Sequence, residues 1–331
     1  MLKVLEDEVA IRKYRGQFIK SFKPFVDEKI QVNLGHPGGA FKAKVLWSNL
    51  LGIWAFCDKI AGNQCANAFG VWKPVGSSSV SIACEINIPL SGIDRRLGGA
   101  LAVDHYSRVF VVHRGKLGGG KKGVGKSFFE KHHRGTWAAM ADGDTISNVA
   151  IVGELNSPRF ARQLAQFVRK IDIIKDDIAK RSPQMEIIFD EQRFREELVG
   201  YGYETPVRYP VSDCDHGLVI SDLYAALKGQ SIRAGNDKNI DLFISDTEGR
   251  ITTVFQVITQ SSTASVQTGM ARLLFTGVDL PGDPRLMLVA PGGMEMSLPD
   301  KMKKLGVGIL EYKWQEDYAV FPELPALPRE K

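Results

Sequence analysis

From His216 to Trp314 the chain switches between helical and extended apolar patterning in seven successive segments, and this constrains the fold more than any other feature. HGLVISDLYAALKG (216–229) reads as a helix. IDLFISD (240–246) and ITTVFQVIT (251–259) read as two strands joined by a turn at EGR (248–250). SVQTGMARLLFTG (265–277) reads as a helix, RLMLVAP (285–291) as a buried strand, LPDKMKKLG (298–306) as a short helix and VGILEYKW (307–314) as a last strand. The order α-β-β-α-β-α-β calls for a mixed sheet covered by helices.

Upstream the patterning is different. The length, 331 residues, accommodates two domains. Residues 1–30 read as one or two helices, and LWSNLLGIWAFCDKI (46–60) as a buried helix. Phe69–Ile88 reads as strands joined by a loop at Pro74–Ser79, and RVFVVHR (108–114) and SNVAIVGEL (147–155) as further strands. A long helix follows, with Ser157 as N-cap, Pro158 at its first position, and Phe160, Leu164, Phe167, Val168 and Ile171 on one apolar face. EIIFDEQRFREELVG (186–200) reads as a second helix, and Gly200–Asp215, with Pro206 and Pro210, as a linker. The expected organisation is an N-terminal α+β domain over 1–200 and a mixed-sheet α/β domain over 201–331.

Composition excludes several classes. Hydrophobic residues make up 44% and charged residues 24%, which are globular proportions. No apolar run approaches the length of a bilayer span. The N-terminus, MLKVLEDEVAIRKYRG, is charged where a signal peptide needs an apolar core. A cytoplasmic protein without membrane contact is expected. Cys57, Cys65, Cys84 and Cys214 form no CxxC pair and read as reduced residues in or near the core.

The C-terminal pattern carries a family resemblance. The acid in NIDLF (Asp241), FQVIT fifteen residues on, and the helix STASVQTGMARLLF together resemble the PD-(D/E)xK, or restriction-endonuclease-like, nuclease superfamily, over about 205–315. The resemblance implies a Mg²⁺ or Mn²⁺ ion held by Asp241, by the residue at the Glu position and by the carbonyl of Val257. Hard cations take such oxygen ligands. It also implies a lysine two residues beyond the Glu position, balancing charge on the phosphorane. This sequence departs from the pattern: the Glu position is Gln256, a variant known in the superfamily, and the Lys position is Ile258. Losing one electrostatic stabiliser typically costs about 10²–10³ in rate. Lys238 or Lys228 is a candidate to replace the charge, and Asp213, Asp215, His216 and Asp222 are candidate additional groups. Asp241, Gln256, Lys238 and His216 are the candidate catalytic set. Ser261, Ser262 and Thr263 read as the cap of the next helix.

A second feature lies in the N-terminal half. From Arg108 to Arg134, eight Lys/Arg stand against one acid, Glu130, a local charge of +7 in a chain of net +5. So concentrated a field suits an anionic partner. His113, Arg114, Lys116, Lys121, Lys122, Lys126, Ser127, His132, His133 and Arg134 are the candidate nucleic-acid contacts. Gly120–Ser127 also matches GxxxxGK[ST], the phosphate-cradling P-loop, although no strand leads directly into it. GHPGGAFKAK (35–44) reads as another basic loop, and Arg95, Arg96, Arg159 and Arg162 as further phosphate candidates. Trp47, Trp54 and Trp72 read as core.

These readings converge on a DNA-interacting protein whose partner is DNA, with or without base modification. Its C-terminal domain resembles metal-dependent phosphodiesterases of bacterial defence and modification-dependent restriction. Two alternatives stay open: a catalytically inactive DNA-binding pseudo-nuclease, favoured by Ile258, and a P-loop nucleotide-binding protein. The resemblance implies a homodimer.

Overall fold

The computed structural model describes residues 1–36, 39–117, 125–180, 193–203, 213–293 and 298–324. The chain is a mixed α/β protein that divides into two compact units. Met1–Glu186 with Tyr201–Cys214 form the first, and Ile187–Gly200 with Asp215–Lys331 the second. The segments flanking Gly200 therefore belong to the units opposite to those expected from a cut at 200/201.

The first unit runs β1 (Leu2–Val4), α1 (Glu8–Phe22), β2 (Glu28–His36), β3 (Gly39–Ser48), β4 (Ile53–Ala61) and β5 (Gln64–Gly70). It continues through three two-residue strands, β6 (Ser79–Val80), β7 (Cys84–Glu85) and β8 (Ile88–Pro89). Then come β9 (Gly99–Val103), β10 (Val109–His113), α2 (Lys126–His132), β11 (Thr136–Asp142), β12 (Thr145–Glu154) and α3 (Phe160–Lys180). Five strands close a barrel in the order β1-β11-β12-β10-β9, with β9 returning to β1. The β1–β11 pairing is parallel and the others antiparallel. One parity of the barrel strands (Leu2, Val4, Ala100, Ala102, Phe110, Val112, Met140) forms one apolar cluster. The other parity (Leu101, Val109, Val111, Trp137) joins α1 and α3 in a larger one.

The second sheet of this unit runs β6-β2-β3-β4-β5-β7, with β8 on β5. It corrects the expectation of a helix over 46–60, which is instead the end of β3, a turn and β4. Gly52, with φ +66°, takes the left-handed conformation the turn needs. Both faces of this region are covered: Trp47 and Trp54 on one side, Leu51, Ile53 and Ala55 on the other. A strand buried on both faces loses the period-2 signal. Residues 1–30 hold one α-helix, α1, followed by a 3₁₀ turn at Lys23–Phe25, with a strand on either side. Asp7 caps α1 by accepting from the Ala10 N–H at 2.8 Å.

The second unit contains α4 (His216–Gly229), β13 (Ala234–Gly235), β14 (Leu242–Ser245), β15 (Ile251–Val257), α5 (Thr263–Asp279), β16 (Arg285–Pro291), α6 (Leu298–Lys304), β17 (Val307–Gln315) and β18 (Tyr318–Val320). These match the expected order, with β13 and β18 added at the edges. The sheet order is β13-β14-β15-β16-β17-β18. β14 is antiparallel to β15, while β15, β16 and β17 are parallel and joined through α5 and α6. α4 packs on one face with Leu242, Phe255, Val257 and Val289. α5 and α6 cover the other face with Phe243, Val254, Ile258 and Leu288. Of the expected helix over 186–200, residues 186–192 lie outside the described residues, and Glu196–Leu198 form a single 3₁₀ turn.

Candidate active site

Four features of the second unit meet at one end of its sheet. The Asp237 carboxylate accepts from the Asn239 and Ile240 N–H groups at 2.6 and 2.8 Å, forming the tight turn that feeds Asp241 into β14. The β14–β15 register pairs Leu242 with Phe255, so Asp241 stands beside Gln256 at the C-terminal end of β15. His216 opens α4 with its side chain buried. Ser262 caps α5 next to this end of β15, its hydroxyl accepting from the Ser265 N–H at 3.3 Å. The C-terminal ends of parallel strands, flanked by helix N-termini, are where open α/β sheets gather ligand-binding groups.

One oxygen of Asp241 organises the site. Oδ2 accepts from Gln256 Nε2 at 2.5 Å, from the Val257 N–H at 2.8 Å and from His216 Nε2 at 3.2 Å. An ionised carboxylate only accepts, so this contact is a hydrogen bond in the His216 form that carries a proton on Nε2. The three donors fix the carboxylate rotamer. Among the described residues Oδ1 accepts no hydrogen bond, and the side chain keeps 17% of its exposure. Asp241 thus offers one committed oxygen and one without a hydrogen bond among the described residues.

The residues fit a cation only loosely. The Asp241 carboxylate, the Gln256 side-chain oxygen and the Val257 carbonyl are hard oxygen donors of the kind Mg²⁺ accepts. They include a single carboxylate, and no cluster of three His, Cys, Asp or Glu occurs among the described residues. Mg²⁺ bound through one carboxylate relies on water and on substrate phosphate for the rest of its shell. In the orientation seen, the Gln256 NH₂ group lies between two of these oxygens, donating to Asp241 and, at 3.4 Å, to the Val257 carbonyl. To act as a ligand, the amide has to turn and present its oxygen.

The other candidates sort by burial. Lys238 is exposed in the turn leading to Asp241. Asp222 is tied elsewhere, accepting from the Ala319 N–H at 2.8 Å and so joining α4 to β18. Ile258 is 6% exposed in the α5 cluster, and its Cγ2 lies 2.6 Å from where a Cβ on Gly269 would stand. The position that carries lysine in the superfamily pattern is here part of the helix–sheet core.

Burial also divides the basic segment of the first unit. His113 is fully buried, accepting from the Gly115 N–H through Nδ1 and donating to the Glu85 carbonyl through Nε2. Desolvation holds its pKa down at about 4. Arg114 is buried against Asp142 in a two-pronged pair at 2.8 and 3.0 Å and donates to the Gly99 carbonyl. His133 is buried and stacked on Phe129, and desolvation depresses its pKa well below the usual imidazole value. All three, expected from the sequence as surface contacts, are buried in the interior frame. Lys116, Lys126 and Ser127 are exposed, His132 and Arg134 partly so. Lys121 and Lys122 lie outside the described residues. Trp72 is exposed, unlike the buried Trp47 and Trp54.

No protein-family model matches the chain, and no curated protein and no solved structure matches it either.

Proposed function

We propose that the protein engages DNA and that its second unit is a restriction-endonuclease-like domain performing metal-dependent phosphodiester hydrolysis at Asp241. The observation that carries this reading is the meeting of Asp241 with Gln256 and the Val257 backbone at the end of β15, fifteen and sixteen residues away in the chain. The order of strands and helices around that meeting point agrees with the resemblance drawn from the sequence.

In this reading Asp241 would hold the cation through Oδ1, the oxygen without a hydrogen bond, and Gln256, with its amide turned, and the Val257 carbonyl would add neutral ligands. The chemistry a divalent cation would supply there is polarisation of the attacked phosphate and of the attacking water. His216 positions Asp241 by donating through Nε2, and Lys238 contributes positive charge from the adjoining turn.

A second reading has its own support. The Gln256 amide nitrogen bridges the oxygens that would hold a cation, and Ile258 is sealed in the core. Both features suit a DNA-binding pseudo-nuclease. The P-loop alternative gains no support: β10 is antiparallel to both neighbours, and α2 has seven residues. That context differs from the parallel strand and long helix that cradle phosphates.

The deciding experiment is cleavage of plasmid DNA, unmodified and with modified cytosine, in Mg²⁺ and then Mn²⁺. The expected result is metal-dependent cutting that EDTA stops and Asp241→Ala abolishes, with DNA affinity within about twofold of wild type. Salt-sensitive binding without cutting in either metal selects the second reading.

A further inference from the structure

The structure makes residues 35–36 and 39–44, read from the sequence as a loop, part of a ribbon. β2 and β3 pair over nine positions, from Glu28 with Trp47 to His36 with Gly39, whereas β4 pairs with β3 only at Leu46, Trp47 and Ser48. The hairpin is two-stranded at its Gln31–Lys44 row, while β4 joins at the Lys29–Leu46 row and the short β6 at Asn33 and Leu34, the first of which faces Lys42. Its even positions on β2 and odd positions on β3 (Val32, Leu34, Ala43, Val45) are buried beneath it. The opposite face presents Lys29 and Gln31 from β2, and Lys42 and Lys44 from β3, all exposed. Among the described residues the three lysines join no ion pair. The ribbon's one described acid besides them, Glu28, lies on the other parity and is held by Lys73. An outward sheet face with three lysines and no acid carries a positive potential that no described ion pair neutralises.

We infer that the Lys29–Lys42–Lys44 face of the β2–β3 ribbon is a second nucleic-acid contact, docking on duplex DNA and neutralising phosphates. It rests on the DNA-engaging part of the proposed function, and not on hydrolysis. Where it is two-stranded, at the Gln31–Lys44 row, the ribbon matches the width of the B-form major groove. Lys42 and Lys44 stand about 7 Å apart along the strand, about two nucleotide rises of a duplex. Gln31, across from Lys44, has the amide that reads adenine edges. The deep, narrow major groove of A-form RNA admits no such ribbon.

The test measures duplex DNA affinity of the full chain between 50 and 200 mM salt, for wild type, K29Q/K42Q/K44Q and K29R/K42R/K44R. Three lost phosphate contacts reduce the log–log salt slope by about 2.7, so the affinity gap between wild type and the Gln variant narrows about 40-fold across that range. The Arg variant keeps the wild-type slope. Acetylation footprinting of the wild-type protein provides a measurement that no substitution can disturb: DNA should protect Lys29, Lys42 and Lys44. An unchanged slope in the Gln variant, unprotected lysines, or equal affinity for duplex RNA overturns the inference, as does absence of DNA binding. Wild-type binding without cleavage refutes hydrolysis alone and leaves the ribbon to be judged by its slope.

Discussion

Arg114 shows how one residue's environment changes its meaning. In the sequence it is one of eight cations in a basic run; in the fold it is buried, pairs with Asp142 on β11 and bonds to the Gly99 carbonyl on β9, so it ties three barrel strands together. Removing one partner of such a pair strands the other charge in a low dielectric and costs about 3–5 kcal/mol. Arg114→Met should therefore lower unfolding free energy by that amount in urea titration, and a loss below 1 kcal/mol would contradict the role. His113 and His133 make the first unit acid-sensitive. His113 titrates near 6.5 when unfolded and near 4 when folded, so the unfolded chain binds the proton first as pH falls. Its neutral form confers full stability above pH 6.5, and that contribution is lost as pH drops from 6.5 to 4, about 3 kcal/mol in all. His133 acts in the same direction, and neither ring nitrogen has a hydrogen-bond partner among the described residues. Thermal unfolding followed at Trp137 should show a lower midpoint at pH 5 than at pH 7, with the difference reduced in His133→Leu.

The helix–sheet joint between α5 and β15 determines how Asp241 and Gln256 are presented. Gly269 on α5 allows the helix to approach so closely that a Cβ there would lie 2.6 Å from Ile258 Cγ2 and 2.9 Å from Leu288 Cδ1. Both neighbours are buried, so Gly269→Ala forces α5 outward and should destabilise the second unit by about 1–3 kcal/mol in denaturant melts. A neutral result would mean that α5 is free to shift. This joint also explains how much the sequence reveals. The elements of the second unit are legible because each parallel strand is a short apolar run bounded by turns and each helix has a separate apolar face. The Asp241–Gln256 pair is legible because it depends on those strands alone. The fate of Ile258 is not, since its burial depends on a glycine eleven residues away. The first unit is harder to read for two physical reasons. Its β3–β4 region is covered on both faces and loses alternation, and its barrel closes through β1 and β11, whose parallel register joins Leu2 to Met140. The K-x-K alternation at Lys42 and Lys44, set against buried Ala43 and Val45, is a strand signal hidden by the glycines before it.

For the whole molecule, the decisive question is which chain segments complete each unit. Phe194 stacks on Tyr224 of α4 with ring centroids 4.0 Å apart, and Val199 is buried in the same cluster. The Arg195 backbone forms two hydrogen bonds with the Asn236 side chain, at 2.6 and 2.9 Å. Residues 194–199 are thus a strap on the second unit. Residues 201–203 belong to the first: the Tyr201 carbonyl accepts from the Gly135 N–H at 2.8 Å, and Tyr203 packs edge-on against Trp137 and accepts from Asn148. The linker-like composition around Gly200 conceals this exchange, because prolines and glycines mark where the chain turns without indicating what it packs against. A fragment beginning at 201 discards Phe194, Val199 and the Asn236 partner, while one beginning at 187 retains them. Fully burying a Val side chain contributes about 1.5–3 kcal/mol, the partly buried Phe194 adds a fraction of that, and leaving a buried amide unpaired costs about 1–3 kcal/mol more. Residues 187–331 should therefore unfold cooperatively at a midpoint several degrees or more above that of 201–331, whose melt should be broad or absent. Equal midpoints for the two fragments would mean that the 194–199 strap adds nothing and that the second unit is complete from Tyr201 onward.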